Sequence, residues 1–154
     1  MTARSVHITE LPSLAGQKIG SSEWVQIDQD RINQFAEATG DFQWIHVDEE
    51  RAKEEMETGK TIAHGFLTLS LLPMLTSQIM KVEGVARGIN YGVNKVRFTN
   101  MVPVGSRVRA HQTLKEVSER PDGSVQSINE VQIEIEGQER PAVIAETLGL
   151  VYPA

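Results

Sequence analysis

The stretch TGDFQWIHVDEERAKEEMETGKTIAHGFLTLS, residues 39–70, decides how the rest of the chain is interpreted. It places an acid and an imidazole, Asp41 and His46, five residues apart. Asp48 follows and is expected to cap a short charged helix that ends near Met56, with its charges on a solvated face. The stretch ends on an apolar run, around which we expect the other elements to fold.

The apolar run covers residues 64–81 and begins with the pair His64–Gly65. It is apolar on nearly every side, and a helix of that kind is a buried one. At roughly 18 residues it would be about 27 Å long. We therefore expect one buried central helix, which Pro73 bends or leaves with one unpaired carbonyl.

The residues before the stretch predict an irregular N-terminal segment, then a strand and a helix. Residues 1–21 contain several breakers and are expected to be irregular, and residues 23–28 alternate as a strand does. Asp28 is placed to cap a helix, and Gly40 stands where a left-handed residue ends one. Asp41 is then in a loop, where a side chain is free to point into a cleft.

After Gly84 the hydrophobic pattern has a period of two, which indicates strands. Pro- and Gly-containing turns separate four of them, near residues 86–99, 107–120, 124–136 and 143–151. In the strand near residues 124–136 one face is expected to be exposed to solvent and the other buried. Gln132, Glu134 and Glu136 alternate there with Val131, Ile133 and Ile135. A buried helix followed by antiparallel strands predicts an α+β fold. We expect residues 1–154 to form one domain, because no repeat or composition shift interrupts them.

Composition excludes several classes of function. The 154 residues include no cysteine, so disulfides, thiolate chemistry and zinc–cysteine sites are excluded. The formal net charge of −6 and the absence of a basic cluster argue against a nucleic-acid partner. No run of about 20 apolar residues predicts a membrane span. The first residues, MTARSVHITELPSLAG, lack the apolar core of a signal peptide, so we expect a cytoplasmic protein.

Three blocks carry a family resemblance: GDFQWIHVD (residues 40–48), TIAHGFLTLS (residues 61–70) and YGVNKVRFTNMVPVG (residues 91–105). Together they resemble the MaoC-like dehydratases, the (R)-specific enoyl-CoA hydratases. The residues of the first two blocks are most similar to the NodN-like branch of that family. The resemblance implies a hot-dog fold, in which an antiparallel sheet wraps a central helix. It also implies a homodimer with a continuous sheet, which would cover an edge strand that a monomer leaves open.

Hydration of an enoyl thioester needs a base for the water, a proton for the neighbouring carbon and donors at the thioester oxygen. Asp41 and His46 supply the first two if the loop aims both at one water, with Asp41 as the main base and His46 positioning the water and passing a proton. The alternative is that Asp41 caps a turn and His46 is a packed core histidine. By resemblance, the backbone N–H of Gly65 points at the thioester oxygen; the alternative is a plain helix start at which glycine avoids a clash. His64 either orients the loop or caps the helix, and it is given no catalytic role.

Other residues are candidates for binding. Trp44, Phe66 and Asn94 are expected to contact the substrate, and strand alternation places Asn94 on one face with Val96. Four cations are candidates for binding the phosphates of coenzyme A, with ordinary solvated strand positions as the commoner explanation: Lys95, Arg97, Arg107 and Arg109. Asp41, His46 and His64 are ligand types that suit zinc, but their spacing fits no ligand motif, so we predict no metal and no cofactor.

The favoured function is therefore reversible hydration of trans-2-enoyl thioesters of coenzyme A or acyl carrier protein to (R)-3-hydroxyacyl thioesters. Two alternatives stay open: a hot-dog thioesterase, and a protein that binds acyl thioesters without catalysis.

Overall fold

The computed structural model describes residues 2–154. Its helices are α1 (Gln29–Thr39), α2 (Trp44–Val47), α3 (Glu49–Glu55), α4 (Gly65–Ser70) and α5 (Leu72–Ser77), with a 3₁₀ helix over Ile8–Leu14. Its strands are β1 (Arg4–His7), β2 (Lys18–Ser21), β3 (Val25–Gln26), β4 (Met80–Glu83), β5 (Val85–Phe98), β6 (Arg107–Glu119), β7 (Val125–Ile135) and β8 (Val143–Pro153). Within this part of the chain, no helix combines the length and apolar character that crossing a bilayer requires.

The four long strands and β2 form an antiparallel sheet in the order β2-β6-β7-β8-β5, and β3 pairs with β6 as its sixth strand. The predicted alternation in β7 is confirmed, because Val131, Ile133 and Ile135 are buried. These side chains and Val108 of β6 pack against α4 and α5 through Leu67, Leu71, Leu72 and Leu75. The α+β prediction is confirmed: one face of the sheet holds the two helices and the other faces outward.

The prediction of a single long helix over residues 64–81 is wrong. Two six-residue helices, α4 and α5, meet at Leu71, and Met80 already begins β4. Pro73 lies in the first turn of α5, where its missing N–H needs no partner. In an uninterrupted helix that N–H would have bonded the carbonyl of Leu69, so the chain starts a new helix instead. Nor is the segment buried all round, since Phe66 is 66% exposed.

The prediction of an irregular N-terminal lead is also wrong. Its β1 strand pairs in parallel with β4, and the 3₁₀ helix buries Ile8, Leu11 and Leu14 against a second, smaller core that includes Leu114 and Val125. Those three residues are spaced by three, which matches the three-residue turn of a 3₁₀ helix. The predicted strand over residues 23–28 shrinks to β3.

The predicted caps are confirmed. The Asp28 carboxylate accepts from the backbone N–H of Arg31, and Gly40 ends α1 in the left-handed region with φ 82°. Asp48 accepts from the N–H of Arg51 and begins α3. These caps fix where α1 ends and α3 starts, and the segment between them carries the candidate catalytic residues.

Candidate active site

Asp41 and His46 lie in the short segment between α1 and α3. Asp41 is in the loop after Gly40, as predicted, and its carboxylate accepts from the backbone N–H of Gln43 at 3.3 Å. His46 is not in a loop, because the chain turns into α2 at Trp44. An aspartate that bonds the N–H two residues on starts a turn, and this turn folds the imidazole back towards the acid. A carboxylate oxygen of Asp41 and one ring nitrogen of His46 lie within 4.8 Å of each other.

His46 is 6% exposed and its tautomer follows from its neighbour. Its Nδ1 lies 2.7 Å from the carbonyl oxygen of Ile62. A carbonyl only accepts, so Nδ1 donates and Nε2 keeps a free lone pair. Burial lowers the pKa of His46 below its ordinary value of 6.5, while the bond to Ile62 acts in the opposite direction. At neutral pH His46 therefore presents an uncharged, proton-accepting Nε2.

Asp41, by contrast, is exposed in the single chain. Its aromatic neighbour Phe42 is 55% exposed, so apolar side chains do not enclose the acid. The pair thus combines one buried and one open group.

His64 belongs to the same cluster, although the sequence analysis gave it no catalytic role. Its Nε2 lies 3.0 Å from the backbone carbonyl oxygen of Asp41. Its ring stacks on that of His46 with centroids 3.8 Å apart and planes inclined by 22°, and Phe35 lies against it at 4.9 Å. Spacing along the chain could not reveal a stack between α2 and the N-cap of α4, because it is a tertiary contact.

His46 opens onto a cavity of about 340 Å³. Its walls come from α2, α4, the end of β5, the start of β8 and three loops. The wall residues are His46, Ile62, Ala63, Gly65, Thr68, Phe98, Thr99, Asn100, Met101, Val102, Arg140, Ala142 and Val143. Gly65 starts α4, so its N–H has no carbonyl partner inside the helix. A Cβ at position 65 would approach the ring of Phe98 to 2.8 Å, which explains why a glycine stands there.

The structure places the three predicted substrate-binding residues differently. Phe66 is not among the described wall residues, but its ring contacts the wall residue Phe98 edge-on, with centroids 5.4 Å apart. Trp44 lies under the guanidinium of Arg51 at 4.1 Å, and the described cavity walls do not include it.

Asn94 is also outside the cavity walls. A bulge between Asn94 and Arg97 sets two residues of β5 against one of β8, and Lys95 takes φ 53°. The predicted alternation of Asn94 with Val96 therefore breaks. The Asn94 side chain instead bonds Glu146.

The four cationic residues predicted to bind the phosphates of coenzyme A are not among the cavity walls. Arg107 and Arg109 lie on the outer sheet face, paired with Glu136 at 3.1 Å and Glu134 at 2.8 Å. The cation on the cavity wall is Arg140, which the sequence analysis missed. Its turn is held to the opposite loop by Asn100, whose Nδ2 donates to the side chain of Gln138 at 2.6 Å. The same Nδ2 donates to the carbonyl of Arg140 at 3.2 Å, and the backbone N–H of Thr99 donates to the carbonyl of Ala142 at 3.0 Å. These long-range contacts bring Arg140 to the site.

Asp41, His46 and His64 each offer an atom within 4.8 Å of the others, which raises the question of a metal. An ion bound by histidine lies near the ring plane, about 2.1 Å from nitrogen. The two imidazole planes are inclined by only 22° and the ring centroids are 3.8 Å apart, so one ion cannot meet that condition for both rings. The cluster fits a shared water better than zinc.

Comparison with known proteins supplies relatives over nearly the whole chain. A family model described as "MaoC like domain" matches residues 10–134. The chain is 52% identical over 141 residues to 3-hydroxyacyl-thioester dehydratase Z of Mycobacterium tuberculosis, covering 92% of this chain and 93% of that protein. It is 44% identical over 145 residues to Nodulation protein N of Rhizobium leguminosarum bv. viciae, covering 94% and 90%.

Solved structures share the fold. A monoamine oxidase regulatory protein from Archaeoglobus superposes with a TM-score of 0.78 at 24% identity, covering 100% of this chain and 99% of that one. An (R)-hydratase from A. caviae involved in PHA biosynthesis superposes with a TM-score of 0.69 at 25% identity, covering 88% and 94%.

Proposed function

The chain belongs to the MaoC-like dehydratase family and is a hydro-lyase, and from that premise we propose that it is an (R)-specific enoyl-CoA hydratase. The similarity to solved (R)-hydratases confirms the predicted hot-dog fold, and the similarity to Nodulation protein N confirms the resemblance to the NodN-like branch. The observation that carries the proposal is that a carboxylate oxygen of Asp41 lies within 4.8 Å of a ring nitrogen of His46, which lines the cavity together with Gly65.

The spacing of Asp41 and His46 fits one reacting water. Two hydrogen bonds of about 2.8 Å that meet at a water with a tetrahedral angle separate their outer atoms by about 4.6 Å. The water donates one O–H to the Asp41 carboxylate and the other to Nε2 of His46. As its oxygen bonds to C3 of the enoyl group, Asp41 takes the first proton, and C2 receives a proton back from the pair. The net change is the addition of one water, and neither residue ends altered.

The thioester oxygen gains negative charge while C2 awaits its proton. Gly65 presents a backbone N–H at the cavity wall with no helical partner, so it is the donor we assign to that oxygen. The addition consumes no redox equivalents and requires no cofactor.

The carrier is a thioester of coenzyme A or of acyl carrier protein, and both contain a phosphate next to the pantetheine arm. Arg140 is the cation on the cavity wall. We assign it to that phosphate in place of Lys95, Arg97, Arg107 and Arg109. Since acyl-CoA esters are made and consumed inside cells, the proposal places the reaction in the cytoplasm.

The proposal includes a homodimer built on β5. This strand is an edge of the sheet over 14 residues, and nearly all of them are exposed. Ile89, Tyr91 and Val93 are between 45% and 55% exposed, which is unusual for apolar side chains on an unpaired edge. Pairing with β5 of a second copy would cover them and give the continuous sheet that the family resemblance implies.

The function is tested by mixing the enzyme with crotonyl-CoA and following the enone absorbance and the free thiol. Loss of absorbance by wild type, with the (R)-3-hydroxy product on chiral analysis, supports the proposal. Asp41→Asn and His46→Gln should abolish most of that loss. Thiol release would show a thioesterase, and binding without turnover would show a passive acyl-thioester protein, and either outcome would overturn the hydratase assignment.

A further inference from the structure

His64 is a buried histidine that the proposed mechanism does not use. It is 2% exposed, and its Nδ1 is a buried atom without a hydrogen-bond partner in the described part of the chain. A buried polar atom left unpaired carries a desolvation penalty, and such atoms are few in native proteins. A phenylalanine would fill the same space without that penalty, so packing alone does not explain an imidazole here.

What an imidazole adds is the donor at Nε2. That N–H bonds the backbone carbonyl of Asp41 at 3.0 Å, while the flat face of the same ring rests on the ring of His46. One side chain thus contacts both members of the pair that we assign to the water. The contact with Asp41 matters because this residue is exposed and its carboxylate is otherwise tied to the N–H of Gln43 at 3.3 Å, a long bond.

We propose that His64 is a positioning residue for the hydration step: it fixes the distance between the Asp41 carboxylate and Nε2 of His46 by holding the main chain of one and the ring of the other. The proposal deepens the proposed function and rests on it. His64 does not touch the substrate. It acts through the two residues that do, so its loss should lower turnover and leave substrate affinity nearly unchanged.

Two substitutions separate the donor from the ring. His64→Phe keeps an aromatic ring against His46 and removes both the Nε2 donor and the unpaired Nδ1. His64→Gln loses the ring and keeps an amide N–H of similar reach. A positioning role predicts that His64→Phe lowers kcat at least about tenfold, because a displacement of the order of 1 Å costs up to about 100-fold. KM should stay within about twofold, the melting temperature should not fall, and His64→Gln should recover part of kcat.

His111→Phe is the matched control, because it makes the same chemical change on the outer sheet face. Both ring nitrogens of His111 are bonded, to Ser21 and to Glu134. This variant should show the opposite signature, a lower melting temperature with unchanged kcat. If His64→Phe also loses melting temperature and keeps its kcat, His64 is a packing residue and the proposal fails.

Backbone hydrogen exchange tests the same idea without turnover. When the bond to the Asp41 carbonyl is lost, the amides of Gln43 and His46 should exchange about tenfold faster in His64→Phe, and His64→Gln should slow them again. Unchanged exchange in His64→Phe would overturn the positioning role. An inactive wild type would instead overturn the proposed function, while the exchange measurement would still decide the role of His64.

Discussion

Two histidine clusters lie on opposite faces of the sheet, and they differ in how completely their atoms are bonded. On the outer face, His111 Nδ1 is 2.6 Å from Ser21 Oγ, and Nε2 is 2.5 Å from Glu134, whose carboxylate also accepts from Arg109. On the inner side, His46 keeps a free Nε2 and His64 an unpaired Nδ1. The outer cluster has no ring nitrogen left to react with a substrate.

This difference in hydrogen bonding distinguishes a histidine that stabilises the fold from one that can take part in catalysis. A fully bonded histidine gains from each hydrogen bond, but its lone pairs are occupied. A histidine with one bonded and one open nitrogen is held in place and can still accept a proton. The inner cluster therefore makes fewer hydrogen bonds per ring than the outer cluster. Its member His46 lines the cavity.

The largest expected effect comes from the acid at the inner cluster. Asp41→Asn removes the base and should lower kcat on crotonyl-CoA about 10³-fold, within the range of general acid–base catalysis. Because Asp41 is exposed, the melting temperature should stay within about 2 °C of wild type. Stopped-flow or steady-state absorbance measures the rate. A residual activity close to wild type would remove Asp41 from the chemistry.

The pH dependence should follow His46. Burial lowers its pKa below 6.5, so kcat/KM should be flat near neutral pH and fall only as the pH drops through this lowered value. Stability should change in the same direction: below about 6.5 the unfolded chain binds a proton that folded His46 resists, so unfolding becomes more favourable. In His46→Gln this pH-dependent part of the melting curve should disappear. An acid limb of kcat/KM above pH 6.5 would contradict the assignment.

A smaller effect is expected at the cavity mouth. Arg140→Ala should raise KM for crotonyl-CoA about tenfold, the cost of one charge-assisted hydrogen bond to a phosphate. The matched substrate is the crotonyl thioester of N-acetylcysteamine, which has no phosphate. Wild type and Arg140→Ala should hydrate it equally well. Arg107→Ala, on the outer face, serves as the control variant. Equal losses on both substrates would show that Arg140 shapes the cavity and does not bind the carrier.

The smallest effect is expected at the outer cluster. The hydrogen bond from Arg109 holds the pKa of Glu134 below its ordinary value of 4.5. A carboxylate of this kind stabilises the fold at neutral pH, and that stabilisation is lost as the pH falls below about 4.5 through the lowered pKa. Glu134→Gln should cost about 1 kcal/mol at pH 7 in urea unfolding, less at pH 3, and nothing in kcat. A fall in kcat would link the outer face to the site.

The sequence predicted what local chemistry decides. Asp28 and Asp48 cap their helices because a short carboxylate bonds nearby amides, and Gly40 ends α1 because it accepts a positive φ. The Asp41–His46 pair was found through its spacing and family blocks. The sequence could not show the stack of His64 on His46 or the position of Arg140, since each depends on segments far apart in the chain.

The approach of Gly65 to Phe98 restricts the order in which these two positions can change. At position 65 even a methyl group would meet the aromatic ring at 2.8 Å, so alanine there is tolerated only after residue 98 has become smaller. A substitution such as Phe98→Leu is thus permissive for Gly65→Ala, whereas the reverse order passes through a clash. In directed evolution of this cavity, a library at position 65 should therefore be built on a chain in which residue 98 is already smaller.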